Sequence, residues 1–375
     1  MMRKINPIVT MSVVAAIVTA ACGSAVGDTA ATASGRLAVE QIATGLDHPW
    51  GIAYLPDGRA LVTERAGRLR LLGVDNKLSE PLAGVPAVQA RGQGGLLDVA
   101  LDPDFSTNRV IYFSYAEAGD GGASTALARA ELGQGKLDNV TVIFRQQPKV
   151  SGNGHFGGRI VFSRQGHLFL TTGDRQKLDP AQDLMSHLGK VIRLNRDGSV
   201  PADNPFVGRT DAKPEIWSYG HRNIQGAAIE PRTGDLYTLE FGPAGGDELN
   251  RPEPGKNYGW PLVSWGKHYS GQDIPDPPTR PDFADAVKYW VPAISPSGMI
   301  FYTGAKFPQW KDNLLIAGLG AAAIVRLKLE EGKVVDEERI ELGARIRDVD
   351  QAPDGSIIAL TDDDNGSILR LRPAP

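Results

Sequence analysis

One pattern recurs along the chain and constrains its fold more than any other feature: a turn rich in proline, aspartate and glycine, followed by a short hydrophobic strand. The six copies are residues 56–58 before ALVTE, 102–104 before VIYFSYA, 164–166 before LFLTTGD, 231–234 before LYTLEFG, 296–298 before MIFYTG, and 353–355 before IIALTDD. Several copies are followed by a second strand with an Arg-Leu pair, namely GRLRLL at 67–72, KVIRLN at 190–195, AIVRLKL at 323–329 and SILRLRP at 367–373.

Turn, strand, turn and strand at an irregular spacing of roughly 45 to 70 residues are typical of β-propeller blades with inserted loops. Six copies therefore predict an all-β fold, a six-bladed β-propeller domain over residues 37–375. The 44 glycines and 26 prolines, which separate many short apolar runs, also favour turn-rich β structure over helix. A pair of β-sandwiches or another solenoid is the alternative.

Charge and cysteine content limit the classes of partner and of stabilising bond. The formal net charge is −4 and the body of the chain has no basic run, so the sequence predicts no nucleic-acid binding. The chain has one cysteine, which excludes an internal disulfide.

The N-terminus has the features of an export signal over residues 1–22. Arg3 and Lys4 precede an apolar run over residues 8–21 that is too short to span a membrane. Cys22 ends the segment TAAC, which resembles a bacterial lipoprotein box, although leucine is more usual where Thr19 stands and ordinary signal cleavage is the alternative. Residues 23–36, rich in Ala, Ser and Thr, are predicted to be a flexible linker. These features predict a periplasmic protein, with a lipid anchor to the outer membrane if Cys22 is modified.

The segment 152–175, GNGHFGGRIVFSRQGHLFLTTGDR, is the first candidate for a reactive site. Glycines surround His155 closely, which indicates that the backbone approaches a bulky group at this point. Residues 159–163 and 167–172 are predicted to form two strands around a turn, which would bring Asp174 back to the level of His155. An imidazole held by a carboxylate is a suitable general base near neutral pH. The alternative is a loop histidine whose hydrogen bonds are satisfied by the backbone.

Further polar side chains fall at predicted strand ends. Glycines flank Gln93 and leave its amide free to reach a ligand, although a plain turn glutamine is the alternative. Arg222 beside Asn223 combines a fork-shaped cation with an amide, which suits carboxylates on a flat ligand. Arg345 and Arg347 alternate, so that on a strand both point to one face. Three converging arginines would imply an anionic ligand, whereas exposed arginines on separate blades are the alternative.

Two longer segments carry weaker signals. Residues 240–248, EFGPAGGDE, mix carboxylates with a bent backbone, and Ca²⁺ prefers carboxylate and carbonyl oxygens of this kind. Residues 250–291 are dense in Pro, Trp and Tyr and are predicted to form a long ordered loop. Its aromatic rings would either stack on a sugar or pack over the edge of a blade.

Five of these segments together resemble, in chain order, the soluble PQQ-dependent aldose sugar dehydrogenases of the glucose/sorbosone dehydrogenase family. They are RGQGGLLDVALDPDF, GHFGGRIVF followed by TTGD, SYGHRNIQG, EFGPAGGDELN with NYGWP, and RIRDVDQAPDG. The resemblance extends over residues 45–371, and the family fold is a six-bladed propeller, in agreement with the six copies of the turn.

The resemblance implies a PQQ- and calcium-dependent oxidation of aldose sugars at the anomeric carbon to lactones, with hydride transfer to the quinone and an external electron acceptor. His155 matches the general base of the family, and Asp174 matches the carboxylate partnered with it. The positions that match cofactor contacts are Gln93, His155, Arg222, Asn223, Arg345 and Arg347.

The resemblance also implies calcium. The carbonyls of Gly242 and Pro243 match those that hold the ion which polarises the quinone, a Lewis-acid role. Glu248 and Tyr258 match a second, structural calcium site found in some members.

One departure from the family pattern is a missing lysine, which bears on the affinity for the cofactor. Some members place a lysine against the cofactor in the segment corresponding to residues 318–321, GLGA, and this chain has none there. The alternatives to an aldose dehydrogenase are a non-enzymatic ligand-binding propeller and a calcium-dependent sugar lactonase. The expected assembly is a monomer or a homodimer.

Overall fold

The computed structural model of the chain describes residues 29–374. The predicted export signal, Cys22 and the first part of the predicted linker lie outside the described residues. Helices between residues 29 and 374 are short: α1 (Phe105–Asn108) and 3₁₀ turns at Asp179–Ala181, Pro277–Thr279 and Pro308–Trp310. None of these helices is long and apolar enough to cross a membrane.

The described chain is otherwise built from short strands. In chain order they are β1 (Thr29–Thr32), β2 (Gly35–Leu46), β3 (Pro49–Tyr54), β4 (Ala60–Glu64), β5 (Arg68–Leu72), β6 (Leu96–Leu101), β7 (Val110–Gly119), β8 (Gly122–Leu132), β9 (Leu137–Arg145), β10 (Gly157–Phe162), β11 (Leu168–Thr172), β12 (Lys190–Leu194), β13 (Ile216–Tyr219), β14 (Ile224–Ile229), β15 (Leu236–Glu240), β16 (Asp247–Asn250), β17 (Lys288–Trp290), β18 (Pro296–Phe301), β19 (Leu314–Gly318), β20 (Ala323–Glu330), β21 (Lys333–Glu341), β22 (Ile346–Gln351), β23 (Ile357–Thr361) and β24 (Gly366–Pro373).

These strands form six antiparallel sheets arranged as the blades of a propeller. The blades in order are β3–β5, β6–β9, β10–β13, β14–β17, β18–β21, and a last sheet with the order β1-β2-β24-β23-β22. The innermost strands β3, β6, β10, β14, β18 and β22 contact one another in sequence, and β22 contacts β3. This closed ring confirms the predicted six-bladed fold and excludes the sandwich and solenoid alternatives.

Five of the six recurring turns precede a strand, as the sequence predicts, and in each case that strand is the second of its blade counted from the axis. Gly58, Gly166, Gly234 and Gly355 occupy the left-handed region there, with φ values of 86°, 82°, 82° and 82°. A residue with a side chain is strained in that conformation, so the glycine fixes the place of each turn. The strands that follow, such as β4, β11, β15 and β23, are buried along their whole length because neighbouring blades cover both faces.

The fifth copy was assigned wrongly from the sequence. Residues 296–298 lie inside β18, the innermost strand, and the second strand of that blade is β19, LLIAG. Pro296 begins the strand, where its missing N–H is tolerated. A Cβ at Gly298 would collide with the carboxylate of Asp348 on the next blade. Glycine is therefore needed here because two inner strands approach each other closely, and not because the chain turns.

The last blade joins the two ends of the described chain. β2 pairs with the C-terminal strand β24, from Leu37 opposite Pro373 to Leu46 opposite Gly366. The prediction of a flexible linker over residues 23–36 is wrong from Thr29 onward, because β1 pairs with the start of β2. Ala30 is buried in the same core cluster as Leu37, which explains why this small-residue segment is ordered.

The six inner strands share one direction, so the residues before each of them lie at the same end of the axis. Second strands run antiparallel to them and end at that same end. The predicted site residues lie at these positions. Gln93, His155 and Arg222 precede inner strands, and Asp174 follows a second strand. The topology therefore collects the predicted site on one face.

Candidate active site

His155 and Asp174 form a buried pair on blade three. Nδ1 of His155 lies 2.6 Å from Oδ1 of Asp174, and the two side chains are 7% and 0% exposed. The strands β10 and β11 bring the two residues together, as the sequence predicts. His155 has a φ of 54°, in the left-handed region, which places its side chain off the regular strand path.

The surroundings keep His155 neutral. Burial lowers the pKa of His155, the positive charges of Arg222 and Arg175 lower it further, and only Asp174 opposes them. Because Nδ1 is engaged by the carboxylate, Nε2 is the nitrogen left to accept a proton. Within residues 29–374 no other group hydrogen-bonds Nε2.

Asp174 is held as an anion by several donors. The backbone N–H groups of Gln176 and Leu178 lie 2.8 and 3.3 Å from its oxygens, and Nε1 of Trp260 lies 2.9 Å from Oδ2. Although burial acts to raise the pKa of Asp174, the hydrogen bonds from His155, Trp260 and Gln176 hold it below its usual value. Sequence reasoning missed Trp260, because it lies 86 residues further along the chain.

Arg175 fixes the glycine-rich loop around His155 and was also missed. Its side chain is wholly buried and donates to the carbonyls of Gly154 and Gly152, the latter at 2.6 Å. Its guanidinium lies 3.6 Å from the ring centroid of Phe156. Burial lowers the pKa of Arg175 to about 10, which leaves it charged near neutral pH.

Gln93 supports the same loop from blade two. Its Oε1 accepts a hydrogen bond from the backbone N–H of His155 at 2.7 Å, and its own N–H donates to the carbonyl of Asn153 at 2.8 Å. Gln93 is exposed and also lines the cavity described below.

Arg345 and Arg347, whose convergence the sequence left open, meet at Asp362, a carboxylate that the sequence analysis did not single out. Their Nη2 atoms lie 3.2 and 2.9 Å from Oδ2 of Asp362. In spite of burial, the two arginines hold the pKa of Asp362 at about 2. Arg347 also lies within 3.4 Å of Gln225 and 3.3 Å of Ser297, whereas Arg345 is 56% exposed.

A cavity of about 190 Å³ opens at this point. Its lining includes Gln93, Asn223, Arg345 and Arg347, four of the predicted cofactor residues. The remaining lining residues include Trp50, Gln225, Phe241, Ser295, Leu319 and Asp362. Leu319, in the segment where some family members carry a lysine, therefore presents an apolar side chain to the cavity.

Arg222 lies beside this cavity rather than in its lining. Its Nη1 donates to the carbonyls of Phe241 and Gly242 at 3.1 and 2.8 Å, and its guanidinium lies 5.2 Å from the centroid of Trp260. Nε of Arg222 and Nε of Arg347 are buried without a hydrogen-bond partner within the described chain. An unpaired buried donor is costly, and an anionic ligand bound beside these two arginines would supply the missing acceptors.

The segment 240–248 places two carboxylates close together in blade four. Nδ2 of Asn250 bridges them, 2.9 Å from Oε1 of Glu240 and 3.1 Å from Oε2 of Glu248. Burial, with the negative charge of Glu240, raises the pKa of Glu248 to about 8. Oδ1 of Asn250 is buried and unpartnered, and a cavity of about 10 Å³ beside these groups is also lined by Tyr258 and Gly242. This space has about the volume of one water molecule, and Arg222 also lines it.

A sequence signal for the missed carboxylate did exist. Two second strands end on an acidic residue, Glu64 and Glu240, and two others are followed within two residues by Asp174 and Asp362. Each of these acids accepts a hydrogen bond from an arginine or a histidine. The acid at the end of four of the recurring strands was therefore a signal for the site.

Comparison with known proteins places the chain in a family. Residues 46–370 match the family model described as Glucose / Sorbosone dehydrogenase. The aldose sugar dehydrogenase YliI of Escherichia coli (strain K12) is 45% identical over 343 residues, which cover 89% of this chain and 92% of that protein.

Solved structures agree with the family match. The soluble aldose sugar dehydrogenase (Asd) from Escherichia coli, in the apo-form, superposes with a TM-score of 0.86 at 43% identity, covering 90% of this chain and 100% of that chain. The PQQ-bound form of the aldose sugar dehydrogenase (Adh) from Streptomyces coelicolor has a TM-score of 0.73 at 29% identity, covering 90% and 98%. The chain belongs to the glucose/sorbosone dehydrogenase family.

Proposed function

We propose that this protein oxidises aldose sugars at the anomeric carbon to lactones, with PQQ and calcium as cofactors and His155 as the general base. The observation that carries the proposal is the imidazole of His155, which Asp174 holds at Nδ1 and whose backbone N–H donates to Gln93, a residue of the cavity that two arginines line. The relative with bound PQQ supports the choice of cofactor.

The residues of the cavity fit a flat tricarboxylate. Arg347 has a buried Nε without a partner, and Arg222 has another beside the cavity. Asn223 and the amide of Gln93 add neutral polar groups to the same wall. Guanidinium groups bind carboxylates in a planar, paired geometry, so these residues would hold PQQ by its carboxylates. When bound, PQQ supplies the quinone that accepts a hydride.

His155 would remove the proton of the anomeric hydroxyl at Nε2. It can do so because its lowered pKa leaves it unprotonated near pH 7 and because Asp174 stabilises the imidazolium that forms. Arg175 and Gln93 fix the loop that carries the imidazole, so the nitrogen is held in one place.

The two proposed calcium positions fit to different extents. The carbonyl oxygen of Gly242 already accepts a hydrogen bond from Arg222. Two carbonyl oxygens alone are also far fewer than the six to eight oxygen ligands that Ca²⁺ takes. Calcium held by Gly242 and Pro243 would therefore depend on oxygens from PQQ. At the second position Glu248 and Tyr258 line one small space, and both oxygens of the neighbouring Glu240 already accept hydrogen bonds, from His221, Asn250 and the backbone N–H of Arg222. Calcium there would therefore take Glu248 as its carboxylate ligand, and its charge would offset the burial and the negative charge of Glu240 that raise the pKa of Glu248.

Two further proposals follow from the sequence. The predicted export signal supports a periplasmic location, with an external electron acceptor that takes electrons from the reduced cofactor. The protein would act as a monomer or a homodimer.

The test is a titration of the purified protein with PQQ in the presence and absence of calcium, followed by a panel of aldoses with an artificial electron acceptor. We expect calcium-dependent PQQ binding and sugar oxidation that requires the acceptor. Hydrolysis of sugar lactones without an acceptor would instead support a calcium-dependent lactonase. Absence of binding at micromolar PQQ would support a non-enzymatic binding propeller and would contradict the proposal.

A further inference from the structure

We propose that Trp260 is a positioning residue, which acts on His155 by fixing the carboxylate of Asp174 between them. The proposal rests on the function proposed above for His155. Trp260 lies on the long connection after β16, whereas both other residues lie on blade three.

The geometry gives each oxygen of Asp174 its own side-chain donor. Nδ1 of His155 lies 2.6 Å from Oδ1, and Nε1 of Trp260 lies 2.9 Å from Oδ2. A carboxylate with a donor on each oxygen resists rotation about its terminal bond. Trp260 is buried, so water does not compete for Oδ2 from its side.

Trp260 is itself held firmly. Its backbone N–H donates a hydrogen bond to the carbonyl of Gly220 at 2.9 Å, and its carbonyl accepts a hydrogen bond from Nε2 of Gln182 at 2.7 Å. The side chain of Gln182 also pairs with that of Asn257 in both directions, at 3.1 and 2.7 Å. The loop that carries Asp174 and the loop that carries Trp260 are thus joined at a second point, so the indole cannot drift from the carboxylate.

The charged groups around the pair determine the direction of the expected effect. His155 faces Asp174 and Arg175 on blade three and Arg222 on blade four, and Lys190 on β12 also lies near Asp174. The N–H of Trp260 draws negative charge of Asp174 toward Oδ2. Without it, Asp174 is a stronger acceptor for His155 and stabilises the imidazolium more, so the pKa of His155 rises.

The substitution Trp260→Phe removes the N–H and keeps an aromatic ring near Arg222, where the indole centroid now lies 5.2 Å from the guanidinium. We expect kcat/KM for an aldose to fall roughly 10- to 100-fold at neutral pH, because the carboxylate no longer holds the imidazole in one orientation and because the raised pKa leaves a larger fraction of His155 protonated. The acidic limb of the pH profile should move to higher pH, while PQQ affinity changes little.

Trp217→Phe is the matched control. Trp217 lies on β13 of blade three, the blade of His155 and Asp174, and donates from Nε1 to the carbonyl of Pro252 at 3.1 Å rather than to Asp174. It should leave the pH profile unchanged.

A second measurement uses the protein without cofactor. Histidine NMR titration of the apo-protein should show a higher pKa for His155 in Trp260→Phe than in the wild type and in Trp217→Phe. This result does not depend on sugar oxidation, so a wild-type protein that oxidises no sugar would contradict the proposed function alone. An unchanged His155 titration and an unchanged pH profile in Trp260→Phe would overturn the role of Trp260.

If Trp260→Phe does not fold, Gln182→Met loosens the support of Trp260 without touching Asp174. It should move the His155 titration in the same direction by a smaller amount. No movement in a folded Gln182→Met protein would count against the positioning role.

Discussion

His155 is the residue on which the proposed chemistry depends most. Its imidazole is buried and hydrogen-bonded at Nδ1, and burial together with two nearby arginines lowers its pKa. These features are those of a general base near neutral pH. They arise from residues on three blades: Gln93 on blade two, Asp174 and Arg175 on blade three, and Arg222 on blade four.

Replacing His155 with Ala should lower turnover by roughly 10²–10⁴-fold, as expected for removal of a positioned base. PQQ should still bind, because the arginines that line the cavity are untouched. Steady-state kinetics at saturating PQQ, together with a binding titration, separate the two effects. An unchanged rate would remove His155 from the mechanism.

Arg347→Ala should weaken PQQ binding more than it slows the saturated enzyme, because the proposed partner of Arg347 is the cofactor. Arg345→Ala should have a smaller effect, since Arg345 is 56% exposed and its charge is screened by solvent. Arg339→Ala, an exposed arginine on β21, is the control. Equal PQQ affinity in Arg347→Ala and the wild type would contradict this assignment.

At the scale of elements, the recurring turn and strand were predictable because glycine with a positive φ and an apolar strand are local features. Residues 296–298 misled the prediction because proline and glycine there serve the start of a strand and a close approach to Asp348, which no local pattern distinguishes from a turn. Asp174 could be paired with His155 because both belong to one hairpin. The contacts of Trp260 with Asp174 join distant segments, and only the fold shows them.

The paired carboxylates of blade four should make stability depend on pH and calcium. The pKa of Glu248 is raised from 4.5 to about 8, so its contribution to stability is fully present below about pH 4.5 and is lost as the pH rises through 8. In the absence of calcium, Glu248→Gln should therefore be more stable than the wild type at pH 9 and should lose the increase in melting temperature that calcium gives the wild type.

Thermal unfolding at pH 6 and pH 9, with calcium and with a chelator, measures both effects. Glu253→Gln is the control, because Glu253 follows β16 closely in the chain and its side chain is 51% exposed. A wild-type melting temperature that does not respond to calcium would rule out the Glu248 site.

At the scale of the whole molecule, the ring is closed by the pairing of β2 with β24. The buried side chains of β2 include Leu37, Val39, Ile42 and Leu46. Burial of each such side chain contributes about 1.5–3 kcal/mol. Their sum is comparable with the whole stability of a typical domain, about 5–15 kcal/mol.

A chain that begins at residue 35, without β1, should therefore stay folded with a small loss of stability. A chain that begins at residue 47, without β2, should fail to fold or unfold far more easily. Circular dichroism during heating compares the two with the longer protein. Equal melting temperatures for all three would contradict the view that β2 closes the ring.

The central claim is that this face of the propeller oxidises an aldose by passing a hydride to PQQ. The most direct measurement is a single turnover: the protein loaded with PQQ and calcium is mixed anaerobically with an aldose, without an electron acceptor, while the quinone absorbance and the sugar product are followed. The quinone should be reduced once per loaded site with an equal amount of lactone formed, and His155→Ala loaded to the same extent should react far more slowly. Tight PQQ binding with no reduction by any aldose would contradict it.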